Sequence, residues 1–322
     1  MYLFAFCMFL GSALAESCVT STEMDPNLKS TLRNVATQDF GYIVSANTAQ
    51  VAANSITDIA NNTAGLSGLL NEHKDRLAGG TASVRNVYYL DANGSAPLER
   101  ADFFCGVFNS PTKVGFTLQN LPPGKYGMVI MDVQGSKIPY FYSLLLLQQG
   151  PTWKIAGLFP RPRQIAGHDS QWYWQQAREF ESKGQQHNAW YYYLAAKEVA
   201  TPLPFMSTDR IDNFYQEIQS AMPPDLPEQR PLALQAANGK TYQVTNLFII
   251  PNDKGQGLDL VVKYQAPDVS DTAKTFLENK EVMKAILAKY PEFRPVYGNL
   301  VARAVAPSGQ DFGSMLPVKD VQ

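Results

Sequence analysis

The chain of 322 residues carries 27 Lys and Arg against 29 Asp and Glu, and 45% of its residues are apolar. This near-neutral balance excludes the strongly basic surface by which proteins hold nucleic acid. An aromatic fraction of 11% together with the low net charge also excludes intrinsic disorder. At about 100–200 residues per domain, the length predicts two or three domains with buried cores.

The N-terminus begins with an apolar run, and the Ala13-Leu14-Ala15 sequence that follows is typical of a signal-peptidase site. Residues 1–15 are therefore predicted to be a signal peptide cleaved after Ala15, which leaves a secreted or periplasmic protein. The run lacks the Lys or Arg that usually precedes such a segment, so an N-terminal strand of the fold is the alternative. A membrane span needs about 20 apolar residues, so no integral membrane segment is expected in the mature chain.

Cleavage would remove Cys7 and leave Cys18 and Cys105. In an oxidising compartment these two cysteines can form one disulfide that ties the mature N-terminus to a strand. Two alternatives stay open. Cys105 lies in a strand-like run and is compatible with a buried free thiol. Cys18 is compatible with a lipidated N-terminus, although the residues before it make a poor lipidation signal.

After a lead-in over residues 16–24, helical patterns start at Asp25-Pro26 and at Leu66. Short runs rich in β-branched and aromatic residues follow, with turn residues between them: 84–90, 102–108, 114–118, 126–133, 140–147 and 153–159. No helical spacing separates these runs, so they are predicted to form one antiparallel meander. Helices followed by such a sheet indicate an α+β domain over residues 25–163.

The last strand of this domain, Thr152-Trp-Lys-Ile-Ala-Gly-Leu-Phe159, follows a Pro123-Gly124-Lys125-Tyr126 turn. Both segments resemble the nuclear-transport-factor-2-like (cystatin-like) superfamily, and many bacterial secreted proteins share the pattern. The resemblance implies a curved sheet wrapped around helices. It also implies a conical pocket, which members of the superfamily use for isomerisation, hydrolysis or binding.

Within that implied pocket, Asp132 is the candidate base, and Tyr88, Tyr126 and Tyr140 are the candidate hydroxyl donors. The analogy is to an isomerase that pairs an Asp base with a Tyr oxyanion donor. It rests on the fold alone, and fold does not determine function. The alternative for Asp132 is a cap at the end of its strand.

Helical periodicity returns over residues 164–222, where two helices and then a third are predicted. The order Ala177, Phe180, Ala189, Tyr193 and Ala196, followed by proline, resembles one tetratricopeptide unit. A single unit cannot bury its own apolar face, so the hairpin must pack on a neighbouring domain or on a partner protein. Four prolines over residues 223–231 indicate a linker, and residues 232–322 indicate a small α+β domain.

The start of the hairpin carries candidate interface residues. His168 and Asp169 are compatible either with a polar site at a domain interface or with an ordinary helix cap. Trp172, Trp174 and Trp190 are compatible either with a stacking platform for peptide or sugar or with packing between domains.

Motifs of nucleophilic, zinc-dependent or dinucleotide-dependent enzymes are absent from the sequence, so no catalytic residue, metal or cofactor is predicted. The sequence favours an exported, non-catalytic binding protein whose partner is an unidentified protein or a small apolar ligand. One alternative is a small hydrolase or isomerase that acts in the conical pocket. A second alternative is a structural subunit that docks a partner through its helical hairpin.

Overall fold

The computed structural model describes residues 16–92, 94, 96–106, 113–228, 230–252 and 255–322, which form two compact units. The N-terminal unit comprises the described residues up to Arg161 together with Pro202–Asp209. The C-terminal unit comprises Pro162–Thr201 and Arg210–Gln322. Helices and mainly antiparallel sheets make up the described chain, so the predicted α+β class is confirmed. The predicted signal peptide lies outside the described residues.

The helices of the N-terminal unit are α1 (Pro26–Val44), α2 (Thr48–Ala53), α3 (Thr57–Asn61) and α4 (Thr63–Leu77). The Asp25 carboxylate caps α1 by accepting hydrogen bonds from the backbone N–H groups of Asn27 and Leu28. The buried residues of α1 recur at helical spacing, which gives the helix one face that packs on a sheet. That face consists of Leu32, Ala36, Asp39, Phe40 and Ile43.

The strands of the N-terminal unit form two sheets, so the predicted single meander is wrong. A five-stranded sheet has the order β1 (Ser17–Thr20), β2 (Thr81–Ala92), β5 (Gly124–Gln134), β6 (Tyr140–Gln149), β7 (Thr152–Pro162). A three-stranded sheet has the order β3 (Leu98–Cys105), β4 (Val114–Leu121), β8 (Met206–Thr208). Because β1 and β5 occupy both edges of β2, the next strand, β3, cannot pair with β2, and it pairs with β4 in the second sheet.

Both faces of the five-stranded sheet are covered within the N-terminal unit. The helices fill one face, where Gly127 lets Leu32 of α1 lie directly against β5, since a Cβ at this position would clash with the Leu32 side chain. The three-stranded sheet covers the other face, and Tyr88 meets Phe116 edge to face with ring centroids 5.1 Å apart. A disulfide between Cys18 of β1 and Cys105 at the end of β3 links the two sheets, with the Cα atoms 5.0 Å apart.

The C-terminal unit begins with the hairpin of α5 (Ser170–Ser182) and α6 (Gln186–Ala200), followed by α7 (Asp209–Ser220). Its five-stranded sheet has the order β13 (Asp311–Pro317), β12 (Asn299–Val305), β11 (Leu258–Gln265), β10 (Thr241–Pro251), β9 (Leu232–Gln235). The helix α8 (Thr272–Lys289) crosses between β11 and β12, which are parallel, as such a crossover connection allows.

The structure corrects the predicted separation of the hairpin from the C-terminal domain. One continuous core contains Tyr173 and Tyr193 of the hairpin together with Leu260 and Ile286 of the sheet and α8. The apolar face of the hairpin is therefore covered within its own unit. Edge strands β9 and β13 extend the predicted β-β-α-β arrangement on both sides.

The proline-rich segment is packed, so the predicted linker is also corrected. We call residues 221–228 the proline strap. Pro223, Leu226 and Pro227 are buried, and Leu226 is 4% exposed. Proline suits this position because it needs no hydrogen bond to its missing N–H group.

Candidate functional site

The C-terminal unit contains a cavity of about 510 Å³, which we call the apolar cavity. Its walls come from α6, the proline strap and β10, with the carboxylates of Glu198 and Glu228 as the charged groups in the lining. The other lining residues are almost all aliphatic or aromatic: Ile165, Trp190, Tyr191, Leu194, Ala195, Met222, Leu226, Leu247, Phe248, Ile249, Ile250, Pro251 and Leu258.

Helical spacing explains why α6 contributes so many side chains to the apolar cavity. Trp190, Leu194 and Glu198 follow one another at intervals of four residues, so they lie one above another on a single helix face. Tyr191 and Ala195 form the adjacent row. Both rows line the cavity, and Tyr191 and Ala195 are also part of the hydrophobic core of the unit.

The proline strap is held in place by the carboxylate of Asp225. His187 Nε2 lies 2.9 Å from Asp225 Oδ1, and the Tyr290 hydroxyl donates to Oδ2 over 2.7 Å. Lys289 Nζ lies 3.4 Å from Oδ2. We call these four residues the Asp225 network, and it joins the strap to α6 and to the end of α8.

Burial lowers the pKa of His187 below its ordinary value, although the neighbouring Asp225 carboxylate raises it. His187 is therefore neutral at pH 7. Burial raises the pKa of Asp225, but the hydrogen bonds from Tyr290 and His187 outweigh it and hold that pKa below its usual range. An ionised carboxylate only accepts hydrogen bonds, so the proton of the neutral imidazole is on Nε2.

A second cavity, of about 300 Å³, lies in the N-terminal unit and contains the carboxyl group of Asp39. Asp39 is 2% exposed, and its Oδ1 accepts a hydrogen bond of 3.2 Å from Asn54 Nδ2. Within the described part of the chain, Asp39 Oδ2 and the buried hydroxyl of Tyr142 have no hydrogen-bond partner. Burial raises the pKa of Asp39 to about 6, against the lowering effects of Asn54 and Lys154.

A third cavity, of about 470 Å³, lies between α5 and α7 and has a more polar lining. The Arg178 guanidinium lies 4.0 Å from the ring centroid of Trp174 and donates to Glu217 over 2.9 Å. The Trp174 indole N–H donates to the same Glu217 carboxylate. These mutual contacts hold the Trp174 ring in a fixed orientation at the surface of the cavity.

The structure does not bring together the four residues predicted for a conical pocket. Tyr88 and Tyr126 are buried between the two sheets of the N-terminal unit, whereas Tyr140 is buried on the opposite face, beneath the helices. Asp132 lies at the end of β5 and forms an ion pair of 3.2 Å with Arg85. The predicted pocket residues are therefore divided between two separate cores and an ion pair.

The predicted interface residues lie in three different places: at the start of α5, in the cavity between α5 and α7, and in the apolar cavity. Asp169 caps α5 by accepting a hydrogen bond of 3.0 Å from the Trp172 backbone N–H. His168 stacks on the Trp172 ring with the centroids 3.6 Å apart. Trp174 lines the cavity between α5 and α7, and Trp190 lines the apolar cavity.

Sequence reasoning missed the residues that define the two most distinctive sites. Asp39 was detectable, because it is the one charged position on the otherwise apolar buried face of α1. No comparable pattern in the sequence marks Asp225 and Glu228. They lie in a proline-rich segment, where the composition indicated a solvated linker.

Among the described residues, no group of three or more His, Cys, Asp or Glu side chains is placed to hold a metal ion. No helix in the described part of the chain is long and apolar enough to span a membrane.

Comparisons with protein-family models, with curated proteins and with solved structures gave no match to this chain.

The Asp225 network predicts different effects for two buried tyrosines. Replacing Tyr290 by Phe removes a hydrogen bond to a carboxylate, so we expect a loss of about 1.5–3 kcal/mol in the free energy of unfolding. Tyr297→Phe is the matched control. The Tyr297 hydroxyl is buried without a partner among the described residues, so its removal should be neutral or stabilising. Urea denaturation of both variants measures the difference in the free energy of unfolding. Equal losses in the two variants would show that the hydrogen bond from Tyr290 to Asp225 does not stabilise the protein.

Asp39 predicts a pH-dependent stability. The unfolded chain ionises this carboxyl near its ordinary pKa, whereas the folded protein ionises it at about 6. The folded state therefore binds more protons between these two values, and stability is lost as the pH rises through them. Asp39→Asn should stabilise the protein by about 3 kcal/mol at about pH 7 and little at about pH 4.

The control for this substitution is Asp75→Asn, which removes an exposed carboxylate from α4. Urea denaturation of both variants at the two pH values is the measurement. Equal behaviour of the two variants, or a loss of stability in Asp39→Asn at neutral pH, would show that Asp39 is not destabilised by its burial.

Proposed function

We propose that this protein is an exported, non-catalytic binding protein that holds an apolar ligand in the apolar cavity of its C-terminal unit. The observation that carries the proposal is the cavity itself. Its volume of about 510 Å³ falls in the range of about 300–1,000 Å³ typical of ligand sites. Apolar side chains from three separate segments border this space instead of closing it.

The chemistry of the lining favours binding over catalysis at this site. Among the described residues that line the apolar cavity there is no His, Cys, Ser or Lys. The buried Tyr191 hydroxyl has a pKa well above its ordinary value because of burial and the nearby Glu228 carboxylate. Tyr191 therefore stays protonated and uncharged. Such a lining selects ligands by shape and apolar surface.

Export is the part of the proposal that rests on the N-terminal sequence. The apolar run before Ala15 supports a cleaved signal peptide. The disulfide between Cys18 and Cys105 supports an oxidising compartment, because disulfides are rare in reducing ones. We also propose that the N-terminal unit is a divergent relative of the nuclear-transport-factor-2-like superfamily, supported by helices packed on one face of a sheet.

A neutral fluorescent probe tests the cavity. N-phenyl-1-naphthylamine should bind the purified protein and quench Trp190, which borders the cavity, by energy transfer. Leu194→Trp places a larger ring in the cavity and should weaken binding about tenfold or more, equivalent to about 1.4 kcal/mol. Leu277→Trp, at a 63% exposed position of α8, is the matched control and should bind like wild type. Unchanged binding in Leu194→Trp would place the ligand elsewhere.

Intact-mass analysis tests export. The full chain is expressed in a bacterial host and recovered from the periplasm. The mass should correspond to a chain that begins at Glu16 and that lacks two hydrogens because of the Cys18–Cys105 bond. A retained Met1 would contradict the signal peptide, and two free thiols would contradict the disulfide.

Acid–base catalysis at Asp39 is a second candidate function. It is favoured by one observation, a buried carboxyl with a pKa of about 6 that borders a cavity near the Tyr142 hydroxyl. Catalytic acids and bases are often held at such values. A panel of simple esters and ketones should then show turnover that is lost in Asp39→Asn and kept in Asp75→Asn. Turnover that is equal in the two variants would exclude this function.

A further inference from the structure

One edge of β10 is left without a neighbouring strand. On that edge β9 pairs only with Thr241–Val244, whereas β11 pairs with the other edge as far as Pro251. Within the described residues, no strand continues beyond β9 on the first edge. We call residues 246–251 the open edge. An unpaired strand edge carries N–H and C=O groups that can pair with another chain.

The apolar cavity follows this open edge. Five consecutive residues, 247–251, line the cavity. Successive side chains of a strand point to opposite faces of a sheet, so a cavity on one face would be lined by every second residue. A cavity that reaches all five must lie beside the strand and include its backbone edge.

The direction of the N–H and C=O groups along β10 follows from the alternation of an antiparallel strand. The Leu247 N–H donates to the Glu228 carboxylate over 2.8 Å and so points away from β11. In an antiparallel pair, alternate residues direct their N–H and C=O groups to the same side. The N–H and C=O of Ile249 therefore also point into the cavity, and neither has a backbone partner among the described residues outside the strand ladders.

The proline strap passes this edge without pairing with it. Pro223, Pro224 and Pro227 have no N–H group and cannot form a continuous ladder with β10. The strap meets the edge instead through the Glu228 side chain. The strap thus forms a wall of the cavity and leaves the Ile249 backbone available.

We propose that the apolar cavity binds an extended peptide segment, which adds to β10 as a further strand and carries a Lys or Arg near Glu228. This inference rests on the proposed function and names its ligand class. The peptide backbone would pair with Ile249, and its alternate apolar side chains would occupy the cavity. Five residues of strand span about 16 Å, so a segment of about five residues matches the open edge.

Two observations favour a peptide over a purely hydrocarbon ligand. A hydrocarbon would cover the N–H and C=O of Ile249 without satisfying them, which costs free energy for buried polar groups. A peptide satisfies both groups, as in other cases of strand addition. Among the described lining residues, Glu228 presents a carboxylate at the open edge, and none of these residues is Lys or Arg. This charge complements a basic residue.

The first test uses defined peptides. The probe is acetyl-Lys-Val-Ile-Val-Thr-amide, measured by calorimetry against the full chain. Two analogues carry N-methyl groups either on both valines or on the isoleucine. Because alternate amides of a strand face the same edge, one analogue should lose at least about tenfold in affinity and the other should keep it. Equal binding of the probe and both analogues would overturn strand addition.

The second test changes the protein. Ile249→Pro removes the N–H that faces the cavity, and it leaves the ladder to β11 intact because that ladder uses the neighbouring residues. Its affinity for the probe should fall about tenfold or more, whereas Ile249→Val should stay within about twofold of wild type. Should Ile249→Pro fail to fold by circular dichroism, hydrogen exchange decides. The Ile249 amide of the wild-type protein should become protected when the probe is added, and unchanged exchange would overturn the inference.

The outcomes separate this inference from the proposed function. If N-phenyl-1-naphthylamine binds and the peptide does not, the peptide assignment fails and apolar-ligand binding stands. If neither binds, both fail. If the wild-type chain is a dimer that Ile249→Pro dissociates, the edge is occupied by a second copy, which also overturns the peptide assignment.

Discussion

The carboxylate of Asp225 is the group on which the position of the proline strap depends. Side chains from the hairpin and from the end of α8, which are distant in the sequence, converge on this one group in the proline strap. An ionised group with these partners keeps several hydrogen bonds that a hydrophobic contact could not replace. The strap is therefore held at a fixed place, and so is the wall that it contributes to the apolar cavity.

The same constraint explains why the cavity is open. The strap is rich in proline, so it cannot continue the hydrogen bonding of β9 along β10. Its tether at Asp225 and the contact from Glu228 to Leu247 position it beside the strand edge. The proline strap is fixed beside β10 but cannot form backbone hydrogen bonds along it. The cavity, its apolar lining and the unpaired backbone of Ile249 follow from this arrangement.

The N-terminal unit meets a different constraint. Its five-stranded sheet buries both faces, and the disulfide fixes β1 to the three-stranded sheet on one of them. A sheet covered on both sides has little room for a large ligand, and the three tyrosines predicted for a pocket are part of the core instead. The exception is Asp39, whose carboxyl is kept in a site that disfavours its charge. Positions that reduce stability without an evident structural benefit are common at functional sites.

Local pattern determined most of the secondary structure and the α+β class. Asp25, Asp169 and the spacing of Leu32, Ala36 and Phe40 encode helix starts and faces through contacts within a few residues, so the sequence alone predicts them. The strand runs were equally clear. The sequence did not predict their division into two sheets. That division depends on which edges of β2 are already occupied, and contacts between residues distant in the sequence set the pairing partners.

The candidate site belongs to this second class. Composition identified residues 223–231 as a linker, and only the fold brings His187, Asp225 and Tyr290 together. The periodicity of the sequence predicts the helical hairpin of α5 and α6, but it does not predict the surface that covers this hairpin. Periodicity reports which face of an element is apolar, since neighbours along a helix or strand share a face. Periodicity does not indicate which element packs against that face. Only the tertiary structure determines the packing partner, because it depends on residues distant in the sequence.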